Sequence, residues 1–294
     1  MLAAIDLGTN SARLLIGKVE NGKVKTVQQH RKITRMGAGI REEGLINRAA
    51  LDSTASALEE FQQIMVALGV ADVTVIATSA ARRASNRDEL ARIVRGIFHR
   101  ELRVLDGREE ARLSYEGAVG TLPRLPGDLV PAVLDIGGGS VEICTKFQED
   151  IQALSFEIGA VRNTETPISD EIMGSLLLPM VEMLEQVRPF TLVGVGGTVT
   201  TLAAMDQKLA VYDWKRIHGY RLYRNQVKAM FNLLNSLSLD QRKCLPGLEP
   251  GRADIIVAGT GILLFIMDIL KTEAITVSEA DLLHGALMEL NDSN

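Results

Sequence analysis

The stretch Leu134-Asp135-Ile136-Gly137-Gly138-Gly139-Ser140 decides the fold, because Ile5-Asp6-Leu7-Gly8-Thr9-Asn10-Ser11 repeats its pattern near the N-terminus. Each is an apolar strand end, an acidic residue and a glycine-bearing turn closed by serine. Asp6 corresponds to Asp135, Gly8 to Gly137 and Ser11 to Ser140. Such a turn can offer backbone N–H groups to a phosphate and a carboxylate to a metal ion. Three consecutive glycines are expensive in conformational entropy, which suits a place where a ligand approaches the backbone closely. A tight hairpin without a ligand is the plainer reading, and the repeat at Asp6 weighs against it. A third turn, Gly194-Val195-Gly196-Gly197-Thr198, has the form strand, Gly-x-Gly-Gly-Thr, helix. A helix N-terminus of that kind is an anion site. Two alike turns half a chain apart predict two similar lobes facing one polyphosphate ligand.

The chain has 294 residues, so one large domain or two medium ones are expected. Hydrophobic residues make up 46% and mean hydropathy is +0.11, enough for a sizeable core. The net charge of −5 argues against nucleic-acid binding, which needs a basic face. It leaves room for an anionic ligand in a locally positive cleft. Cys144 and Cys244 are too few for a disulfide framework, so a reducing, cytoplasmic setting is expected. No basic segment precedes the first strand, so no signal peptide is expected. The most apolar stretch, 255–270, is interrupted by Gly259, Thr260, Gly261 and Asp268. It is shorter than the roughly 20 residues a membrane span needs and reads as a buried helix.

Along the chain, strands are expected at 2–7, 12–20 and 23–29, with Asn21-Gly22 as a two-residue hairpin turn. A loop at 41–46 precedes a helix over 47–69, in which Leu51, Leu58, Phe61, Met65 and Leu68 share one face. A strand at 73–77, a helix at 88–99, a strand at 102–105 and a helix at 108–119 follow. Residues 123–131, with Pro123, Gly127, Asp128 and Pro131, form the best internal boundary. The pattern then restarts with strands at 130–136, 141–147 and 151–158. A helix at 170–187, a strand at 190–195, helices from 198, 225 and 252, a strand at 274–277 and a helix from 279 complete it. The expectation is an α/β duplication. An N-terminal lobe at 1–124 and a C-terminal lobe at 125–278 enclose a cleft, and a helix over about 279–294 packs back on the first lobe.

Other residues carry chemistry only in context. Glu109-Glu110-Ala111-Arg112 opens a helix, where acidic residues commonly complement the dipole. The same pair offers a carboxylate able to take a proton from water. Thr78-Ser79-Ala80-Ala81-Arg82-Arg83 follows a strand, and its arginines suit either a phosphate grip or a solvated loop. Arg35, Gly37 and Gly39 form a similar cue. The four histidines, His30, His99, His218 and His284, are scattered, which argues against a histidine metal site. No Walker lysine follows the glycine turns and no Gly-x-Ser-x-Gly elbow occurs.

In their order and spacing these motifs resemble the Ppx/GppA phosphatases, the exopolyphosphatases and guanosine pentaphosphate phosphohydrolases of the actin-like and sugar-kinase-like superfamily. The resemblance rests on residues 4–11, 77–82, 109–112 and 135–142, on Gly196-Gly197-Thr198 and on Arg252-Ala253-Asp254. It implies two ribonuclease-H-like lobes and release of terminal phosphate from polyphosphate or pppGpp, and leaves a homodimer plausible. By the same resemblance Glu110 is the catalytic carboxylate, Asp135 and Glu142 serve metal and catalysis, and Arg82 binds phosphate. Asp6 joins the metal carboxylates, and Mg²⁺, or else Mn²⁺, is the expected ion. Thr9, Asn10, Ser11, Gly137, Gly138, Gly139, Ser140, Gly196, Gly197 and Thr198 are expected to cradle phosphate. The chain departs from the family pattern at Val141, where threonine is usual, and at Leu283-His284, which replace an arginine and a glutamate. A phosphotransferase of the same superfamily and a non-catalytic sensor of polyphosphate or guanosine tetra- and pentaphosphates are the alternatives.

Overall fold

The computed structural model describes residues 1–122 and 129–293, the side chains of Arg41 and Glu42 excepted. The expected lobe boundary after residue 124 therefore lies outside the described residues. The chain divides into two compact units, Met1–Thr121 with Leu282–Asn294, and Leu122–Asp281.

The N-terminal lobe opens with β1 (Leu2–Leu7), β2 (Ser11–Glu20) and β3 (Lys23–Ile33). Asn21 and Gly22 turn β2 into β3 with φ of 53° and 70°, the paired left-handed conformation of a type I′ turn. The short α1 (Ile40–Glu43) and the long α2 (Arg48–Ala67) follow. The Asn47 side chain caps α2 by accepting from the Ala50 N–H at 2.9 Å. Then come β4 (Asp72–Ala77), α3 (Ser79–Arg83), α4 (Arg87–Phe98), β5 (Leu102–Val104) and α5 (Gly107–Val119). The sheet order is β3-β2-β1-β4-β5, with β1 antiparallel to β2 and parallel to β4.

The C-terminal lobe repeats this plan. It contains β6 (Val130–Ile136), β7 (Val141–Phe147), β8 (Asp150–Phe156), α6 (Ala160–Glu165), α7 (Asp170–Glu185), β9 (Phe190–Val195) and α8 (Gly196–Asp206). It continues through α9 (Trp214–Ile217), β10 (Arg221–Tyr223), α10 (Arg224–Ser236), α11 (Leu239–Lys243), α12 (Ile256–Ile269) and β11 (Ala274–Val277). Its sheet runs β10-β11-β9-β6-β7-β8, so the order β8-β7-β6-β9-β11 reproduces that of the first lobe, with β10 added at the edge. The last helix, α13 (Leu282–Asp292), belongs to the N-terminal lobe. It starts three residues later than expected because the Ser278 hydroxyl holds a turn, accepting from the Ala280 N–H and donating to the Ala280 carbonyl.

Alternation along β1 builds two core layers in the N-terminal lobe. Ala3, Ile5 and Leu7 join Leu58 and Phe61 of α2 on one face. Ala4 joins Leu113 of α5 and Leu282, Leu283 and Leu287 of α13 on the other. Leu283 is thus a core residue, and His284 is buried beside it with Thr26 Oγ1 at 3.3 Å from its Nε2. In the C-terminal lobe the apolar stretch read as a buried helix is α12, whose Ile262, Leu263, Ile266 and Met267 are fully buried. No helix among the described residues is long and apolar enough to cross a membrane.

Gly285 fixes the seat of α13 on α5. A Cβ there would lie 2.8 Å from the Leu113 carbonyl carbon and 2.9 Å from its Cα, and would overlap its oxygen. These are backbone atoms that cannot rotate aside. Gly285→Ala should cost about 1–3 kcal/mol through overpacking, seen as a lower melting temperature with little change in activity. Farther along, Glu289 pairs with Arg103 and Arg112. Burial raises the Glu289 pKa, but the two guanidiniums outweigh it and hold the carboxyl below its ordinary value. Its stabilising contribution is therefore complete above the ordinary carboxylate range and is lost as pH falls through the lowered value. The melting-temperature gap between wild type and Glu289→Gln should exist at pH 7 and narrow as pH falls below the ordinary carboxylate range.

Candidate active site

Each glycine turn is closed by the same hydrogen bond. Gly8 N–H donates to Ser11 O at 3.0 Å, and Gly137 N–H donates to Ser140 O at 3.0 Å. This closure sets the hairpin register. It puts Arg13 opposite Asp6 in the first lobe and Glu142 opposite Asp135 in the second.

The segment after the third strand then grips the turn from its carbonyl side. In the N-terminal lobe Gly37 N–H donates to Thr9 O, while Thr34 and Arg35 N–H groups donate to Asn10 O. In the C-terminal lobe Ala160 N–H donates to Gly137 O, and Val161 and Arg162 N–H groups donate to Gly138 O. A glycine lies over each turn. A Cβ at Gly37 would overlap the Thr9 side chain, and one at Gly159 would lie 2.5 Å from the Gly138 carbonyl carbon and 2.6 Å from that of Gly139. A trans peptide carries its C=O and the next N–H on opposite sides. The amides of Asn10, Ser11, Gly138 and Gly139 therefore point away from the gripping segments. The Asn10 Nδ2 and Ser140 Oγ atoms are buried in these turns with no hydrogen-bond partner among the described residues.

The two turns differ electrostatically. Asp6 Oδ2 accepts from Arg13 Nε at 3.0 Å and Nη2 at 2.7 Å, so an arginine already balances this carboxylate. Asp135, 8% exposed, faces a second acid, Glu142, which is 1% exposed. Glu142 Oε1 accepts from the Ser155 hydroxyl at 2.7 Å across the next strand. Like charges directly opposite one another on a sheet are unfavourable, and a bound cation would relieve that opposition. No group of three or more His, Cys, Asp or Glu side chains suited to a metal ion occurs among the described residues. Asp6 already has Arg13 as its counter-ion and belongs to a different unit from the pair Asp135–Glu142. Such a pair suits Mg²⁺, which takes one or two protein carboxylates and completes its shell with water and phosphate.

The third turn abuts Asp135. Gly196 has a φ of 81°, and a Cβ there would overlap Asp135 Oδ1, so glycine allows α8 to begin against the carboxylate. The Thr198 hydroxyl donates to Ile136 O at 3.2 Å. A Cβ on Gly197 would overlap the guanidinium of Arg252, itself only 8% exposed. Glycine here makes room for a buried cation beside a helix N-terminus, where an anion is also favoured.

In the N-terminal lobe the structure separates the roles of Glu109 and Glu110. Asp106 caps α5 by accepting from the Arg108 and Glu109 N–H groups, while Glu109 returns to accept from the Asp106 N–H at 3.0 Å. Glu109 is therefore a capping residue. Glu110, 7% exposed, turns inward, and its Oε2 accepts from Arg82 Nη1 at 2.6 Å. The same Arg82 nitrogen donates to Leu105 O at 2.9 Å. Arg82 and Glu110 thus form one unit.

Arg13 and Arg162 were not anticipated from the sequence, and Arg252 was noticed only as part of a motif. Turn arithmetic could have found the first. If Gly8 pairs with Ser11, Arg13 must face Asp6, as Glu142 must face Asp135.

Residues 15–294 match the Ppx/GppA phosphatase family. The chain belongs to that family. It is 32% identical to exopolyphosphatase 2 of Mycobacterium tuberculosis, over 98% of both chains. It is 28% identical to a guanosine-5'-triphosphate,3'-diphosphate pyrophosphatase of Aliivibrio fischeri, over 97% of this chain and 58% of that one. Among solved structures, an exopolyphosphatase from Cytophaga hutchinsonii superposes with a TM-score of 0.88 at 27% identity, over 99% of this chain and 98% of that one. Members of the family share the two-lobed α/β architecture described above.

Proposed function

We propose that this protein is a metal-dependent phosphohydrolase that releases terminal phosphate from inorganic polyphosphate, pppGpp or both. The observation that carries this reading is the pair of glycine turns with carbonyls gripped from one side and amides directed to the other. Each also holds a buried polar side-chain atom, on Asn10 or Ser140, in want of a partner. Arrays of this kind suit a row of phosphate oxygens.

In this reading the amides of residues 9–11, 138–140 and 196–198 bind and orient the phosphates, the Gly137 N–H being already engaged with Ser140 O. Asp135 and Glu142 hold a divalent ion. The ion, when bound, would offset charge on the phosphate oxygens and on the leaving phosphate. Arg82 faces the developing negative charge. Glu110 positions the attacking water and takes its proton. The Arg82–Glu110 pairing orients that carboxylate before substrate arrives. The names of the relatives favour polyphosphate and pppGpp, and the chemistry of the turns fits both.

The test is phosphate release by wild-type enzyme from short polyphosphate, long polyphosphate and pppGpp with Mg²⁺ present. Release from at least one supports the reading, and the ratio of kcat/KM values names the preferred substrate. No release from any of the three overturns it.

A further inference from the structure

We propose that Arg162 is a positioning residue for the glycine turn of the C-terminal lobe, holding the Gly139–Ser140 peptide so that its N–H is presented to phosphate. The assignment rests on the phosphohydrolase reading above. Corresponding peptides in the two turns are held differently. The Asn10 carbonyl is gripped by two backbone N–H groups, those of Thr34 and Arg35. At the corresponding Gly139 the carbonyl accepts from Arg162 Nε at 2.9 Å, so a side chain takes over a task that backbone performs in the first lobe.

The substitution matters because of the sequence it serves. Gly137, Gly138 and Gly139 have no side chains to restrict their backbone, and such a run samples many conformations when unrestrained. Pinning the Gly139 carbonyl fixes the whole peptide plane, which sends the Ser140 N–H the opposite way. Together with the Ala160, Val161 and Arg162 N–H bonds to Gly137 and Gly138, this aligns three successive amides, those of Gly138, Gly139 and Ser140.

Arg162 suits the task. Its own N–H and its Nε reach adjacent carbonyls, so one residue fixes two peptides. Its side chain is 15% exposed, and its Nη1 is steadied by Glu157 at 2.7 Å. Glu157 itself is 72% exposed, so that outer pair is screened and weak. The bond to Gly139 is charge-assisted and sheltered, and is the one that counts.

The test compares wild type, Arg162→Ala, Arg162→Lys and Glu157→Gln by steady-state kinetics and by ¹⁵N relaxation of the Gly139 and Ser140 amides. Arg162→Ala should raise KM about tenfold with kcat nearly unchanged, the signature of lost binding common to ground and transition states. Its Gly139 and Ser140 order parameters should fall from about 0.85 towards 0.6 or below. Added methylguanidinium should lower KM again. Arg162→Lys, which keeps a donor but loses the planar fork, should fall between. Glu157→Gln should stay within about twofold of wild type. Wild-type order parameters at Gly139 and Ser140 in Arg162→Ala, or in Arg162→Lys should the alanine variant not fold, overturn the proposal. So does an unchanged KM in an active enzyme. If wild type releases no phosphate from polyphosphate or pppGpp, the phosphohydrolase reading fails, while the relaxation data still decide whether Arg162 orders the turn.

Discussion

Glu110→Gln should lower kcat for phosphate release by about 10²-fold or more while leaving KM and the melting temperature close to wild type. Loss of a positioned general base typically costs 10²–10⁴-fold. The substitution is chosen from the geometry. Glutamine keeps the shape of the side chain and an oxygen that can accept from Arg82, which now approaches Glu110 Oε2 at 2.6 Å. Arg82 also keeps its bond to the Leu105 carbonyl, so it would not be stranded. What glutamine loses is the ability to take a proton. If Glu110 served only as the counter-ion of Arg82, the effect would be inverted: stability would fall and kcat would hold. The two outcomes are therefore well separated, and full kcat in Glu110→Gln would remove the base assignment. Glu109→Gln is the natural control. Glu109 closes the capping box of α5 and contacts Arg103, so its loss should touch stability slightly and turnover hardly at all.

Much of this was legible in the sequence, for reasons that differ by element. Strands β6, β9 and β11 fall where apolar runs end in Asp, Gly or Ser, and the Asn21-Gly22 turn has the expected left-handed pair. The duplication could be read because both halves of a two-lobed fold must make the same strand–turn–strand unit. Short elements were not legible. α3, α6, α9 and α11 each span six residues or fewer, too few for helical periodicity to emerge, and β10 is a three-residue edge strand. These misses matter for the site, because α6 carries Arg162 and the gripping N–H groups of Ala160 and Val161.

The side-chain roles divide in the same way. Asp135 and Glu142 could be nominated from the motif, but only the register across β6 and β7 makes them neighbours. Asp6 stood in the same motif and looked equivalent. The residue opposite it is an arginine rather than a glutamate, and that single difference separates a balanced carboxylate from an acid pair. Leu283 and His284, which depart from the family pattern, sit on the buried side of α13. There the packing of a helix, rather than contact with phosphate, accounts for them.

Removing the divalent ion should have the largest effect of all. Chelation with EDTA should abolish phosphate release, and Asp135→Asn or Glu142→Gln should lower kcat/KM about 10³-fold, since metal assistance supplies several kcal/mol of charge stabilisation. A second readout does not depend on activity. Two nearly buried acids on adjacent strands oppose one another in the folded state, and a bound cation relieves that opposition. Mg²⁺ at about 100 times its Kd should stabilise the wild-type protein by about 2.7 kcal/mol, an increase in melting temperature of roughly 5–10 °C for a lobe of this size. In Glu142→Gln the repulsion is already gone, so the apo protein should melt no lower than wild type, and Mg²⁺ should add little. Ser155 keeps an oxygen to donate to in that variant, so the comparison is not confounded by a stranded hydroxyl. Asp6→Asn should behave differently, because its partner is Arg13: that variant should lose stability from the broken ion pair yet retain the Mg²⁺ shift. A Mg²⁺ shift that persists in both Asp135→Asn and Glu142→Gln would move the ion away from this pair, and EDTA-resistant phosphate release would remove it from the reaction.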